Sequence, residues 1–180
     1  MAIYDTVYPE DLRFTNPAAL RVFAQALDRD AERLPRRADL VQGGGLLHCV
    51  DRIDEMVTCV SWCLGQVSNE VNLCYNGRTK RPPSDGHDRR ATAISQGAVP
   101  LATALTRLAK ATDRLSAFHP VLGPRAAGAD IPVPDDLLRS LLRDVAGART
   151  AIRKAAQQFR SNAERLEDSV TGGPQLAAGA

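Results

Sequence analysis

Hydrophobic residues recur at three- and four-residue steps in four stretches of the chain, which is the spacing of one face of an α-helix. The first stretch runs from Asn16 to Leu34 and the second from Leu46 to Tyr75. The third follows the 76–90 loop, and the fourth covers about residues 134 to 170. No stretch alternates with period two over the length of a strand. The pattern therefore predicts an all-α fold.

Four helices that each carry one apolar stripe bury these stripes most simply in a single-domain four-helix bundle with long connecting loops. We assign residues 16–170 to this bundle, residues 1–15 to an N-terminal extended segment and residues 171–180 to a disordered tail. The 35–45, 76–90 and 119–134 connectors exceed the usual ~2–8 residues, which leaves a crossover topology or short extra helices open. Gly97 and Pro100 predict that the third helix either kinks there or starts near Pro100 after a short turn.

The last helix has the longest apolar stripe, a seven-residue repeat over about four heptads. The members of this repeat are Leu138, Leu141, Val145, Ala148, Ile152, Ala155, Phe159 and Leu166. We expect the stripe to hold the bundle together, with the Phe159 ring fully buried. Arg149 lies on the opposite face, where replacement by alanine should change stability by no more than about 0.5 kcal/mol.

The four cysteines of the chain share one face of the second helix, within an arc of about 80°. They are Cys49, Cys59, Cys63 and Cys74. Aliphatic residues occupy the same arc, which favours core packing. The alternative is a metal site formed by Cys59, Cys63 and His48, but four thiols spread along about 37 Å of one helix cannot converge on one ion. We therefore expect neither a metal nor a cofactor.

Net charge and the amino-terminal sequence limit the partners and the cellular location that we expect for the protein. The net charge is only +2, so an electrostatic partner must be attracted by a local patch. The amino terminus lacks the basic and apolar regions of a secretory signal, and no stretch approaches the ~18 uninterrupted apolar residues of a membrane span. We expect a cytoplasmic protein with reduced thiols and no membrane partner.

Two groups of basic residues are candidate binding surfaces. On the last helix they lie within about 140°, opposite the apolar stripe, and are Arg139, Arg143, Arg149, Arg153, Lys154 and Arg160. The loop between the second and third helices adds Arg78, Lys80, Arg81, Arg89 and Arg90. Either group could bind phosphates. Neither has a recognition-helix signature or interleaved aromatic residues for base stacking.

An acidic group, Asp51, Asp54 and Glu55, lies on the second helix away from the cysteines. With Asp85 and Asp88 in the following loop, its D-x-x-D-E and D-x-x-D spacing resembles that of the all-α nucleoside triphosphate pyrophosphatases. The resemblance implies a magnesium-dependent hydrolase whose acidic quartet faces inward. The acids of this chain occupy the face away from the core stripe, which favours a solvated acidic surface.

The sequence lacks the motifs of the common catalytic sites: G-x-S-x-G, the P-loop, G-x-G-x-x-G and H-E-x-x-H. The leading hypothesis is a non-enzymatic helical protein–protein interaction module, either an adaptor, an assembly factor or a self-associating bundle. Its acidic and basic faces would pair between molecules or with an oppositely charged partner. The alternative is a nucleic-acid-binding accessory protein that uses the 78–90 loop and the basic face of the last helix. A metal-dependent nucleotide hydrolase is the third hypothesis.

Overall fold

The computed structural model describes residues 17–41, 45–76, 91–118 and 134–171. In chain order the helices are α1 (Pro17–Arg33), α2 (Arg37–Val41), α3 (Gly45–Asn76), α4 (Ala98–Ser116) and α5 (Asp135–Thr171). Residues 91–95 are also helical, and no described residue lies in a strand, so the all-α prediction is confirmed. The 1–15 segment, almost all of the 171–180 tail and most of the two longest loops lie outside the described residues.

Local sequence explains where the shorter helices begin. Pro100 lies in the first turn of α4, where a backbone N–H has no acceptor within the helix, so proline is tolerated there. The helix begins at Ala98 after a turn at residues 96–97, which agrees with the second of the two predicted alternatives. In α2, Asp39 accepts a hydrogen bond of 2.8 Å from the Arg36 backbone N–H. This bond caps a five-residue helix that is too short for periodicity to reveal.

Side-chain pairs show that neighbouring long helices run antiparallel, because residue numbers rise along one helix as they fall along the other. The ion pairs between α1 and α5 are Arg21–Glu167, Asp28–Arg160 and Glu32–Arg153. Arg107–Asp144 joins α4 to α5, and Gln96–Gln158 joins the turn before α4 to α5. The pairs between α1 and α3 are Asp30–Cys59 and Arg33–Glu55. It follows that α5 lies between α1 and α4, while α3 packs on α4.

One hydrophobic core collects buried side chains from all four long helices. Phe159 is fully buried, as expected, and its ring lies edge-on to Phe23 of α1, with centroids 5.0 Å apart and planes inclined by 70°. Asn162 is also buried, and its amide donates a hydrogen bond to the Ala93 carbonyl. This bond ties the 91–95 stretch to α5, so α5 contacts both α1 and the segment that leads into α4.

Candidate functional site

The predicted basic face of α5 is divided by the two helices that pack beside it. Its members on the α1 side, Arg149, Arg153 and Arg160, all bond to residues of α1 or to the chain just beyond it. The other members, Arg139, Arg143 and Lys154, are exposed and make no hydrogen bond or ion pair within the described part of the chain. Half of the basic face is therefore used inside the fold, and the other half remains available to a partner.

Arg149 caps the end of α1. Its Nε donates a hydrogen bond to the Ala31 carbonyl at 3.2 Å, and its Nη2 donates to the carbonyls of Leu34 and Pro35 at 2.8 and 2.9 Å. These carbonyls belong to the end of a helix and the chain beyond it, where acceptors lack donors within the helix. Burial lowers the pKa of the guanidinium, which nevertheless stays charged. The expectation that Arg149 contributes little to stability is therefore corrected by its three hydrogen bonds.

Arg153 and Arg160 bind acidic residues of α1. Arg153 donates to Glu32, which also accepts a hydrogen bond from Arg36, while Arg160 donates to Asp28. The hydrogen bond from Arg153 is the main cause that lowers the pKa of Glu32. Each of these arginines is matched by one carboxylate of α1, so the α1 edge of the basic face carries little net positive charge.

Three further cations lie on α4, Arg107, Lys110 and Arg114, of which Arg107 and Arg114 bond to Asp144 of α5. The spacing of three and then four residues places them within about 60° of one another around the helix. This row was not among the predicted binding residues, although its position beside the α4 apolar stripe indicated that it lies near the packed face of the helix. Together with Arg143 and Lys154 of α5, these residues form what we call the cationic seam.

Asp144 holds the two α4 arginines of the cationic seam in place. Its side chain is 3% exposed, and it accepts hydrogen bonds from Arg107 Nη1 at 3.1 Å and from Arg114 Nε at 2.6 Å. Burial opposes ionisation of the carboxyl, but the hydrogen bonds from Arg114 and Arg107 outweigh it and keep the pKa of Asp144 below its usual value. Gly147 leaves room for the Arg107 stem, since an added Cβ would lie 3.3 Å from Arg107 Nε.

The predicted acidic surface lies on the outer side of α3. Asp51 and Asp54 are exposed and make no ion pair within the described residues, whereas Glu55 pairs with Arg33 at 3.2 Å. Asp51 and Glu55 also line an open cleft of about 500 Å³ together with Glu32, Arg33 and Arg52. The acids therefore point away from the core, unlike the inward-facing quartet that the pyrophosphatase resemblance implies. The remaining two acids of that pattern, Asp85 and Asp88, lie outside the described residues.

The cysteine side chains that the structure describes are buried in the core. Cys49 is free and buried, and burial raises its pKa to about 11. The Cys59 thiol donates a hydrogen bond to Asp30 at 3.3 Å. The pKa of Cys59 is raised, mainly by its hydrogen bond with Cys63 and also by burial. Among the described residues, no three histidine, cysteine or acidic side chains converge on one point as metal ligands would. The side chains of Cys74 and His48 fall outside the described part.

Asp30 is a second buried carboxylate, and it was not among the predicted site residues. It lies on the α1 face that packs on the core and is 3% exposed. Burial raises the pKa of Asp30, while Cys59 and the nearby Arg33 act in the opposite direction. Its place in the core could have been predicted, because Asp30 follows Leu27 of the apolar stripe by three residues and therefore lies on the same face of the helix.

The predicted basic loop, with Arg78, Lys80, Arg81, Arg89 and Arg90, lies outside the described residues. No protein-family model, curated protein or solved structure matches the chain. Of the helices that the structure describes, none combines the length and the apolar character needed to cross a membrane. The observations that bear on function are therefore the charges and contacts of α1, α3, α4 and α5.

Proposed function

We propose that this chain is a non-enzymatic protein–protein interaction module built on a four-helix bundle of α1, α3, α4 and α5. The observation that carries the proposal is the presence of exposed charges of both signs that have no partner inside the described fold. Asp51 and Asp54 form an acidic group on α3, whereas Lys110, Arg143 and Lys154 are unpaired cations on α4 and α5, where Asp113, Asp135 and Asp136 are unpaired acids. Separate surfaces of opposite charge favour oriented association with a partner and suppress wrong partners.

The internal charge pairs support the same proposal. Between α1 and α5, carboxylates and guanidiniums are matched in Asp28–Arg160 and Glu32–Arg153. Unmatched charges remain on the outer faces of α3, α4 and α5, and Arg29 and Arg37 add two on α1 and α2.

The hydrolase hypothesis receives less support from the described residues. Magnesium sites in helical hydrolases need carboxylates that converge on a shared pocket. Here Asp54 is exposed on the outside of α3, and Glu55 is paired with Arg33. We therefore place the acidic group in a partner surface.

Half of the basic helix face on which the nucleic-acid hypothesis depends is bonded to α1 or to the chain just beyond it. Arg149 is bonded to backbone carbonyls, and Arg153 and Arg160 are each paired with a carboxylate of α1, so this edge offers phosphates little net positive charge. The 78–90 loop remains as its other basic group. Nucleic-acid binding is therefore the alternative result that the functional test must distinguish from protein binding.

The test is to identify what the full-length chain binds at physiological salt in a native purification. We expect a stoichiometric protein partner, or a second copy of the chain, that dissociates as salt is raised. An Arg143→Glu variant should retain less of this partner, while Arg37→Glu, a reversal on α2, should retain it fully. Stoichiometric nucleic acid bound with nanomolar, sequence-dependent affinity would contradict the proposal, as would a stoichiometric divalent metal with nucleotide hydrolysis.

A further inference from the structure

We propose that the cationic seam is a docking site for an acidic helix of a protein partner, an inference that rests on the proposed interaction function. The seam consists of Arg107, Lys110 and Arg114 from α4 and Arg143 and Lys154 from α5. From Lys154 to Arg143 it follows eleven residues of α5, or about 16 Å. This length matches about three turns of a docked helix, at about 5.4 Å per turn.

The two arginines bonded to Asp144 are fixed in orientation and remain partly open to solvent. The Arg107 side chain is 44% exposed and that of Arg114 is 36% exposed. Each donates one hydrogen bond to the Asp144 carboxylate and makes no other hydrogen bond to the described residues. Their remaining N–H groups can therefore donate to an external carboxylate. Because Asp144 already orders both side chains, ligand binding costs less side-chain conformational entropy.

The opposite edge of α5 shows how an acidic helix fits this surface. There α1 covers Arg153 and Arg160 and supplies Glu32 and Asp28 as their partners. The acids are four residues apart, so they lie one turn from each other on the face of α1 that meets α5. The α4 edge presents a similar row of cations, but no acidic helix of the described chain covers it. Charge complementarity therefore favours an acidic helix as the occupant.

The neighbouring exposed side chains suit a closely packed helix better than a nucleic acid. Thr103, Thr106 and Thr150 lie beside the seam, and each donates its hydroxyl to the carbonyl four residues earlier on its own helix. These short side chains project little from the helices, so a partner helix can approach closely and contact their methyl groups. No described aromatic side chain is exposed here for base stacking.

Nearby acids define the limits of the site. Asp113 is exposed on α4 three residues after Lys110, and Asp135 and Asp136 occupy the first turn of α5. They reduce the positive charge at the Arg143 end of the seam.

The experiment measures binding of a fluorescent helical peptide of about 20 residues, made of alanine and glutamate, with glutamate at every third or fourth position. Fluorescence anisotropy is recorded with the full-length protein between about 50 mM and about 200 mM salt. The matched ligand controls are the same peptide with glutamine for glutamate, and a single-stranded oligonucleotide. The protein variants are Lys110→Glu and Arg143→Glu, with Arg37→Glu on α2 as control. Circular dichroism verifies that each variant is folded.

We expect the glutamate peptide to bind, the glutamine peptide not to bind, and both seam variants to weaken binding at least about tenfold. The Arg37→Glu variant should bind as the wild type does. Equal binding by the seam variants and the wild type would overturn the docking site and leave the interaction function standing. Preference for the oligonucleotide over the peptide would overturn both. Absence of peptide binding at about 50 mM salt would overturn the docking site alone if the native purification still yields a protein partner.

Discussion

The backbone of Gly97 lies directly against the ring of Phe159, so that a Cβ added at residue 97 would overlap the ring carbons. Gly97 has φ −74° and ψ −19°, values that alanine adopts readily. Close packing, and not backbone conformation, therefore requires glycine here. The contact brings the turn before α4 onto the largest side chain in the α5 stripe.

We expect Gly97→Ala to lower the free energy of unfolding by about 1–3 kcal/mol through overpacking. Urea denaturation followed by circular dichroism measures the change. Gly65→Ala is the matched control, because an added Cβ there has no neighbour within 4 Å. Gly65 lies inside α3, so this control should stabilise the protein by about 0.5–1 kcal/mol.

Phe159→Leu provides the coupled test of the same contact. If the clash is with the ring, the cost of Gly97→Ala should shrink in the Phe159→Leu background, and the double-mutant cycle should give a coupling of about 0.5–3 kcal/mol. Strictly additive costs would show that Gly97 is needed for another reason. Phe159→Ala alone should cost about 3–5 kcal/mol, since the ring is fully buried.

Arg149→Ala should destabilise the protein by about 1–3 kcal/mol, because three backbone carbonyls at the end of α1 lose their donor. Arg143→Ala, an exposed arginine on the same helix, should change stability by less than about 0.5 kcal/mol. Denaturant unfolding of both variants measures the difference. Arg149→Lys should recover only part of the loss, since one ammonium cannot reproduce the planar guanidinium. Equal, small effects of both alanine variants would contradict the capping role.

Asp30 predicts a pH dependence with a definite sign. Burial raises its pKa in the folded state above the unfolded value of about 3.9, so the folded protein holds the proton more tightly. The stabilisation from this proton is complete below about pH 4 and is lost as pH rises through the folded pKa. Asp144 and Glu32 have lowered pKa values and act in the opposite sense, because their contribution is lost as pH falls.

Asp30→Asn separates these contributions. The variant keeps a side-chain oxygen that can accept the Cys59 hydrogen bond but removes the titration. We expect the difference in unfolding free energy, variant minus wild type, to increase from pH 4 toward neutral pH in thermal or urea melts. A difference that is constant with pH would show that Asp30 titrates alike in the folded and unfolded states.

The buried cysteines should react slowly with thiol reagents in the native protein. Only the thiolate reacts, and burial raises the pKa of Cys49 to about 11, so little thiolate exists near pH 8. Alkylation followed by peptide mapping should show Cys49, Cys59 and Cys63 protected in buffer and labelled rapidly in denaturant. Labelling of Cys59 at the same rate in both conditions would contradict its place in the core.

Periodicity in the sequence predicted the helices and their buried faces, but not which helix lies beside each face. Phe159 could be placed in the core because its burial depends only on its own stripe. Arg149 could not be placed, because its role depends on where α1 ends relative to α5. Asp144 could not be assigned a role, since its two arginine partners lie on another helix. Such contacts depend on the register between helices, which a single-helix pattern does not contain.

The length of α5 has a consequence for how the protein unfolds. Its 37 residues supply the partner surface for α1 along one edge and for α4 along the other. Detaching either neighbour would expose apolar side chains of α5 to water, so neither can leave at low free energy. We therefore expect the most protected backbone amides of α1, α4 and α5 to exchange with deuterium through one shared opening reaction, with α5 as the element that makes the chain a single cooperative unit.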